Sequence, residues 1–261
     1  MKTPVVALLT DFGTRDWYVG SIRGVILVRC PRAQLLDITH EVPPQDVVAG
    51  AFTLAGAAPW FPRGTVFVAV VDPGVGSGRP LLAARADGRY FVGPDNGLLA
   101  LALANAKRCA AVRLTNRRYW LKEISRTFQG RDIMAPVAAY LAAGGSLDRL
   151  GPPLPRIVPL ALPAVQRRGR SVYGHIVHID AFGNLITNLP ASLLEPGGGL
   201  TRAALRYQRQ VVRMVSSYAD GRPQELLGLV NSQGWVELAI REGSAAWTLN
   251  AKRGDRVELT L

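Results

Sequence analysis

Val66-Phe67-Val68-Ala69-Val70-Val71-Asp72-Pro73-Gly74-Val75-Gly76 runs an apolar stretch into an acid and a glycine-punctuated turn. Val5-Val6-Ala7-Leu8-Leu9-Thr10-Asp11-Phe12-Gly13, near the start of the chain, has the same form. Short apolar runs bounded by turn residues read as strands. Around them, strand-like and helix-like pieces alternate. A helix over Trp17–Cys30 stopped by Pro31, a strand over Leu35–Thr39 and a helix over Pro44–Ala58 separate the two quoted strands. Leu81–Arg85 and Tyr90–Val92 form a hairpin about Ala86-Asp87-Gly88, and helices follow at Asn96–Ala106 and Ile133–Ala143, the last closed by Gly144-Gly145. This alternation predicts an α/β domain with a largely parallel sheet over residues 1–155.

The texture then changes. Pro152, Pro153, Pro155, Pro159, Pro163 and Arg167-Arg168-Gly169-Arg170 read as a linker or extended edge, placed at 156–170. Beyond it the period is two. Strands are expected at Val172–Asp180, Leu185–Leu189, Gln210–Val215, Glu225–Val230, Trp235–Ile240 and Arg256–Leu261. Residues 171–261 are therefore expected to form a β-barrel-like domain or small sandwich.

Composition narrows the function classes. The chain has 261 residues, 48% hydrophobic and 19% charged, which is globular and not disordered. Its mean hydropathy is +0.13. No apolar run approaches the ~18 residues of a membrane span, and Asp11 interrupts the apolar start before it reads as a signal peptide. The two cysteines, Cys30 and Cys109, exclude a disulfide framework and a cysteine-based zinc site, and a reducing cytoplasm is expected. The net charge of +12 is concentrated in residues 101–210, with clusters at Arg113–Arg118 and Arg167–Arg170. Few aromatics accompany these clusters and no nucleic-acid-binding motif contains them, so a solvated face or subunit contact is favoured over nucleic acid. His40, His175 and His178 lack metal spacing, and no metal is expected.

Ligands of parallel α/β sheets sit beyond the carboxyl ends of the strands. Asp11 and Asp72 occupy such positions, although either could simply cap the next turn. Gly74–Arg79 lacks the ending of a phosphate loop, Asp11-Phe12-Gly13 lacks the other kinase motifs, and there is no nucleophile elbow. Thr127-Phe128-Gln129-Gly130-Arg131-Asp132 leads into a helix. Asp180-Ala181-Phe182-Gly183-Asn184 gathers an acid, an aromatic and an amide on one turn, a set suited to a zwitterionic amino acid. Val230-Asn231-Ser232-Gln233-Gly234 links two strands with further polar donors.

Leu9–Gly13, Asp37-Ile38-Thr39-His40, Val71–Gly76, Gly93-Pro94-Asp95-Asn96-Gly97, Thr127–Asp132, Asp180–Asn188 and Asn231-Ser232, taken in order, resemble one family. It is that of the adenosine-forming S-adenosyl-L-methionine (SAM) hydrolases, or SAM hydroxide adenosyltransferases, with the related fluorinases and chlorinases. The resemblance implies an α/β domain followed by a β-barrel-like domain. It implies a homotrimer, or a dimer of trimers, with SAM bound between the N-terminal domain of one subunit and the C-terminal domain of its neighbour. SAM is the substrate and no cofactor is implied. Asp11 is expected to grip the ribose hydroxyls, Asp180 the methionine ammonium with Phe182 and Asn184 close by, and Ser232 is expected near the adenine. Asp72, Arg79 and residue 129 are expected to activate water for attack at the ribose C5′.

At position 129 the hydrolases carry His where this chain has Gln129, which hydrogen-bonds but does not accept a proton. The alternative to hydrolysis is therefore a SAM- or adenosine-binding protein with little or no turnover. A halogenase fits less well, because Asp72 stands where those enzymes carry an aromatic, and Gln45 and Ile186 replace others.

Overall fold

The computed structural model describes residues 3–104, 106–194 and 203–261. It divides into two compact units, Met1–Leu160 and Ala161–Leu261.

The first unit is built on a six-stranded sheet. Its elements in chain order are β1 (Val5–Thr10), α1 (Tyr18–Arg29), β2 (Gln34–Thr39), α2 (Val47–Ala57), β3 (Val66–Val70), β4 (Leu81–Ala86), β5 (Arg89–Pro94), α3 (Ala100–Ala104), β6 (Cys109–Arg113) and α4 (Ala135–Ala142). The spatial order is β2-β1-β3-β5-β4-β6. The first three pairings are parallel, and β4 runs antiparallel to both β5 and β6, so the sheet is mixed with a parallel centre. Side chains alternate across it. Val6, Leu8, Val66, Val68 and Val70 pack with Ile22 and Ile26 of α1 and Ala138 of α4 on one face. Ala7, Leu9, Phe67, Ala69 and Val71 pack with Leu54 of α2 and Leu98 on the other. Covering both faces explains why β1 and β3 are continuously apolar.

Several boundaries differ from the sequence expectations for local reasons. α2 begins at Val47 and not at Pro44, because Gln45 is left-handed (φ 65°) and the Asp46 side chain caps the helix through the Ala49 amide. α3 is short because Asn96 and Gly97 form a turn ahead of it, with Asn96 Nδ2 donating to the Val71 carbonyl and Gly97 at φ 97°; residue 105 of that expected helix lies outside the described residues. Ahead of α4 the chain makes a wider π-type turn over Gly130–Met134, where the Ala135 amide reaches the Gly130 carbonyl. Pro136 has no N–H for the Asp132 carbonyl, and the Leu121 amide takes it at 2.9 Å.

The second unit is a closed seven-stranded barrel. Its strands are β7 (Gln166–Arg168), β8 (Ser171–Ile179), β9 (Leu185–Pro190), β10 (Ala204–Tyr207), β11 (Gln210–Met214), β12 (Leu226–Val230), β13 (Trp235–Ile240) and β14 (Arg256–Thr260), with the short helix α5 (Ala245–Thr248) before the last. The wall runs β14-β10-β11-β12-β13-β9-β8, and β8 pairs back onto β14. β7 is an additional strand beside β8, within the stretch read as linker or extended edge. Val172, Ile176, Leu185, Leu205, Val236, Leu238, Val257 and Leu259 are among the residues filling the interior. A bulge in β8 between Ile176 and His178 interrupts the strand's alternation.

Candidate active site

The parallel centre of the first sheet places the two acids. β1 and β3 are neighbours in register, with Thr10 opposite Val70. Asp11 leaves the end of β1 and Asp72 leaves the end of β3, and both line one cleft of about 390 Å³. Phe12, Tyr18, Gln45, Phe128 and Gln129 share its wall. Asp11 Oδ2 accepts the Gln45 amide at 2.7 Å. Burial pushes the Asp11 carboxyl above the ordinary aspartate value and the nearby Asp72 charge adds to this, while the Gln45 amide works against both.

Asp72 is almost fully buried and is held by a guanidinium fork. Arg79 Nε donates to Oδ1 at 2.5 Å and Arg79 Nη2 donates to Oδ2. The same Nη2 donates to Gln129 Oε1 at 2.8 Å. Arginine offers only donors, so this contact fixes the orientation of the Gln129 amide, with oxygen toward Arg79 and Nε2 as its other end. The turn between Asp72 and Arg79 makes the fork reachable. The Val75 amide donates back to the Asp72 carbonyl at 3.1 Å, and the Ser77 amide to the Gly74 carbonyl at 3.1 Å. Gly76 (φ 80°) passes so close to the next segment that a Cβ would stand 2.7 Å from the Arg126 carbonyl oxygen. Gln129 itself stands at the start of the π-type turn, a geometry frequent at functional sites. Asp132, fully buried, is bound to Arg131 and to the Ser125 amide (2.7 Å) and anchors this turn.

In the barrel, Asp180 follows the end of β8. Its Oδ1 accepts the amides of Phe182 and Asn184, each at 2.9 Å, and its Oδ2 accepts Asn184 Nδ2 at 2.9 Å. Three donors leave part of the carboxylate's acceptor capacity for a ligand. Gly183 (φ 81°) is pressed against Ser244, where a Cβ would stand 2.0 Å from Oγ. Asn184 is buried and Phe182 is 79% exposed. Ser232 is exposed at the tip of a second turn, braced by Asn231 Oδ1 accepting the amides of Gln233 (3.0 Å) and Trp235 (3.1 Å). Leu185 of β9 pairs with Ile179 and Pro190 pairs with Trp235, so the Asp180 and Ser232 turns lie at opposite ends of β9. The structure thus brings Asp11, Asp72, Arg79 and Gln129 together in the first unit. It brings Asp180, Phe182 and Asn184 together in the second, with Ser232 on a separate turn.

Two further groups at these sites were not singled out from the sequence. Glu237, on β13, is buried and accepts the Tyr218 hydroxyl at 2.7 Å. Burial pushes its carboxyl above the ordinary glutamate value and the Asp180 charge adds, against hydrogen bonds from Tyr218 and Asn231. An acid inside an otherwise apolar strand, Trp235–Ile240, was the available signal. His40, nearly fully buried behind Asp11, stood in a motif without a role. Among the described residues, no group of three or more His, Cys, Asp or Glu is placed to hold a metal.

Comparison with known proteins agrees at both ends of the chain. The SAM hydroxide adenosyltransferase N-terminal domain model matches residues 6–151, and the corresponding C-terminal domain model matches residues 174–258. The chain belongs to the SAM hydroxide adenosyltransferase family. A relative within the family's range, the (R)-S-adenosyl-L-methionine hydrolase of Salinispora tropica, is 42% identical, with 99% of this chain and 98% of that protein covered. The protein of the same name from Thermus thermophilus is 38% identical over 97% of this chain and 98% of its own length. A fluorinase from an Actinoplanes species is 29% identical over 98% and 97%. Among solved structures, an uncharacterized conserved protein from Thermotoga maritima superimposes with a TM-score of 0.88 at 34% identity, covering 98% of this chain and all of that one.

Proposed function

We propose that this chain hydrolyses SAM to adenosine and L-methionine. The observation that carries the reading is the shared cleft of Asp11 with Asp72, the latter fork-bound by Arg79 and linked through it to Gln129. Four relatives 31–42% identical bear the hydrolase name, and they do not favour the alternative of a binding protein without turnover.

Asp11 binds the ribose 2′- and 3′-hydroxyls with its two oxygens. Asp180 holds the methionine ammonium, with Asn184 fixing its carboxylate and Phe182 covering the chain, and Ser232 contacts the adenine end. Asp72, Arg79 and Gln129 prepare the nucleophile. One proton of the water points at the Asp72 carboxylate, whose direction Arg79 sets. Gln129 Nε2 donates to one lone pair of the water, leaving the other for C5′. As the O–C5′ bond forms, the C5′–S bond breaks and its electron pair neutralises the sulfonium, which leaves as the methionine thioether. The water proton passes to Asp72 and then to solvent. The positive sulfur makes the leaving group good, so the site's task is orientation and proton removal. A halide in place of water would meet the Asp72 charge.

The family resemblance also supports a homotrimer, with a second copy completing the site, in the cytoplasm. Trp17, Val28, Phe182 and Trp247 are large apolar side chains left exposed, as association requires. No described helix is long and apolar enough to cross a membrane. Incubating the purified chain with SAM, with and without chloride or fluoride, and separating the products tests the reading. Adenosine and methionine in equal amounts under all conditions are expected. A halogenated nucleoside, or intact SAM bound without turnover, would overturn it.

A further inference from the structure

The turn that carries Asp11 is held from behind. His40 Nδ1 lies 2.8 Å from Thr10 Oγ1, and Thr10 Oγ1 accepts the Phe12 amide at 3.2 Å. The His40 backbone carbonyl accepts the Gly13 amide at 2.8 Å. The residue thus touches both sides of Asp11-Phe12-Gly13, once through its side chain and once through its backbone. The imidazole is oriented in turn. Its Nε2 lies 3.0 Å from Asp37 Oδ1, and Asp37 is bound on its other oxygen by Arg23. Nε2 faces the Asp37 carboxylate as a charge contact, one hydrogen bond joins Nδ1 to the Thr10 hydroxyl, and the Thr10 oxygen accepts the Phe12 N–H.

We infer that His40 is a positioning residue for Asp11, acting through Thr10 and held in register by Asp37. This rests on the proposed function, in which Asp11 binds the ribose. Asp11 projects from the one residue between Thr10 and Phe12, so a slack turn misplaces its carboxylate by rotation about its own backbone. The chain of contacts ends short of Asp72, Arg79 and Gln129. Its loss therefore weakens nucleoside binding and leaves the chemical step in place. Substrate-positioning groups act in this way on binding, and small misplacements are costly. Burial pushes the Asp37 carboxyl up, but the hydrogen bonds and charges of Arg23 on α1 and of His40 outweigh it and hold the carboxyl below the ordinary aspartate value.

Thr10→Val is close to isosteric and removes only the hydroxyl, and Thr10→Ser restores it. For Thr10→Val, the adenosine Kd by calorimetry and the KM for SAM are each expected to rise about tenfold, as for a lost hydrogen bond plus an unsatisfied partner. The kcat is expected to stay within about twofold, and Thr10→Ser to behave like wild type in both. Amide exchange at Phe12 and Gly13 is expected to accelerate in Thr10→Val alone. Unchanged adenosine binding in a folded Thr10→Val variant, or a fall in kcat without a rise in KM, overturns the positioning role. Wild-type protein that neither binds adenosine nor cleaves SAM overturns the proposed function, and with it the role of His40, whatever the amide exchange shows.

Discussion

Asp72→Asn separates proton removal from binding. The substitution keeps the shape and the turn but replaces an anion with an amide that accepts one hydrogen bond from Arg79 and opposes the second donor of the fork. A general base in this position contributes about 10²–10⁴ in rate, so kcat is expected to fall by that factor, about 3–5 kcal/mol in the barrier. Adenosine binding at neutral pH is expected to change less than about threefold, under 1 kcal/mol, because Asp11 and its Gln45 contact are untouched. The fold bears a separate cost. The Asp72 and Arg79 side chains are 5% and 10% exposed, so the variant leaves a buried guanidinium with Gln129 as its remaining full acceptor. Breaking such a pair costs about 3 kcal/mol or more, a fall in Tm of about 6–12 °C for a chain of this size. Chromatography of products at saturating SAM, calorimetry with adenosine and thermal unfolding give the three readings. A kcat above about one-tenth of wild type would refute Asp72 as the proton acceptor. Lost adenosine binding with an intact fold would make it a substrate anchor instead.

Gln129→His restores a titratable base while keeping an acceptor for Arg79; kcat is expected to rise and to fall off below about pH 6.5, the ordinary imidazole range, and a pH-rate profile without gain would show that Asp72 alone suffices. The raised Asp11 carboxyl is expected to make adenosine binding weaken on acidification at a pH above the ordinary aspartate value near 3.9; calorimetry across pH reads it, and a midpoint at or below that value would contradict the buried environment of Asp11. Glu237 binds its proton more tightly folded than unfolded, so its contribution to stability is lost as pH rises from its unfolded value toward its folded one. The Tm of Glu237→Gln relative to wild type is therefore expected to improve between about pH 4 and pH 7, starting from a deficit left by the Asn231 contact, and a difference independent of pH would rule out the buried anion.

What could be read in advance follows the kind of signal each residue carries. β1 and β3 were legible because burial on both faces demands unbroken apolar runs. The acids at their ends were legible because glycine turns follow them. β6 was missed because Cys109-Ala110-Ala111 is small and largely exposed at a sheet edge, and β7 because Gln166-Arg167-Arg168 has no apolar residue. β10 was missed because its four residues, Ala204–Tyr207, are too few for a period to declare itself. In the site, the pairing of Asp72 with Arg79 was implied by the family resemblance, and the fork across the tight turn bears out their proximity. The Gln45 amide was not, since its place depends on a left-handed backbone that glutamine rarely adopts. Glu237 and His40 are buried acids and imidazoles whose partners, Tyr218 and Thr10, lie far off in sequence.

The pairing of β8 with β14 has a kinetic consequence. Ser171 meets Glu258 across 87 residues, so the wall is shut by its last strand. Until then β8 and β10 each present an open row of amides and carbonyls, a template for another chain. Such late, long-range closure is slow. During synthesis the hairpins of the barrel stand ready while their seam waits, and misassembly between neighbouring nascent chains is the hazard of that interval.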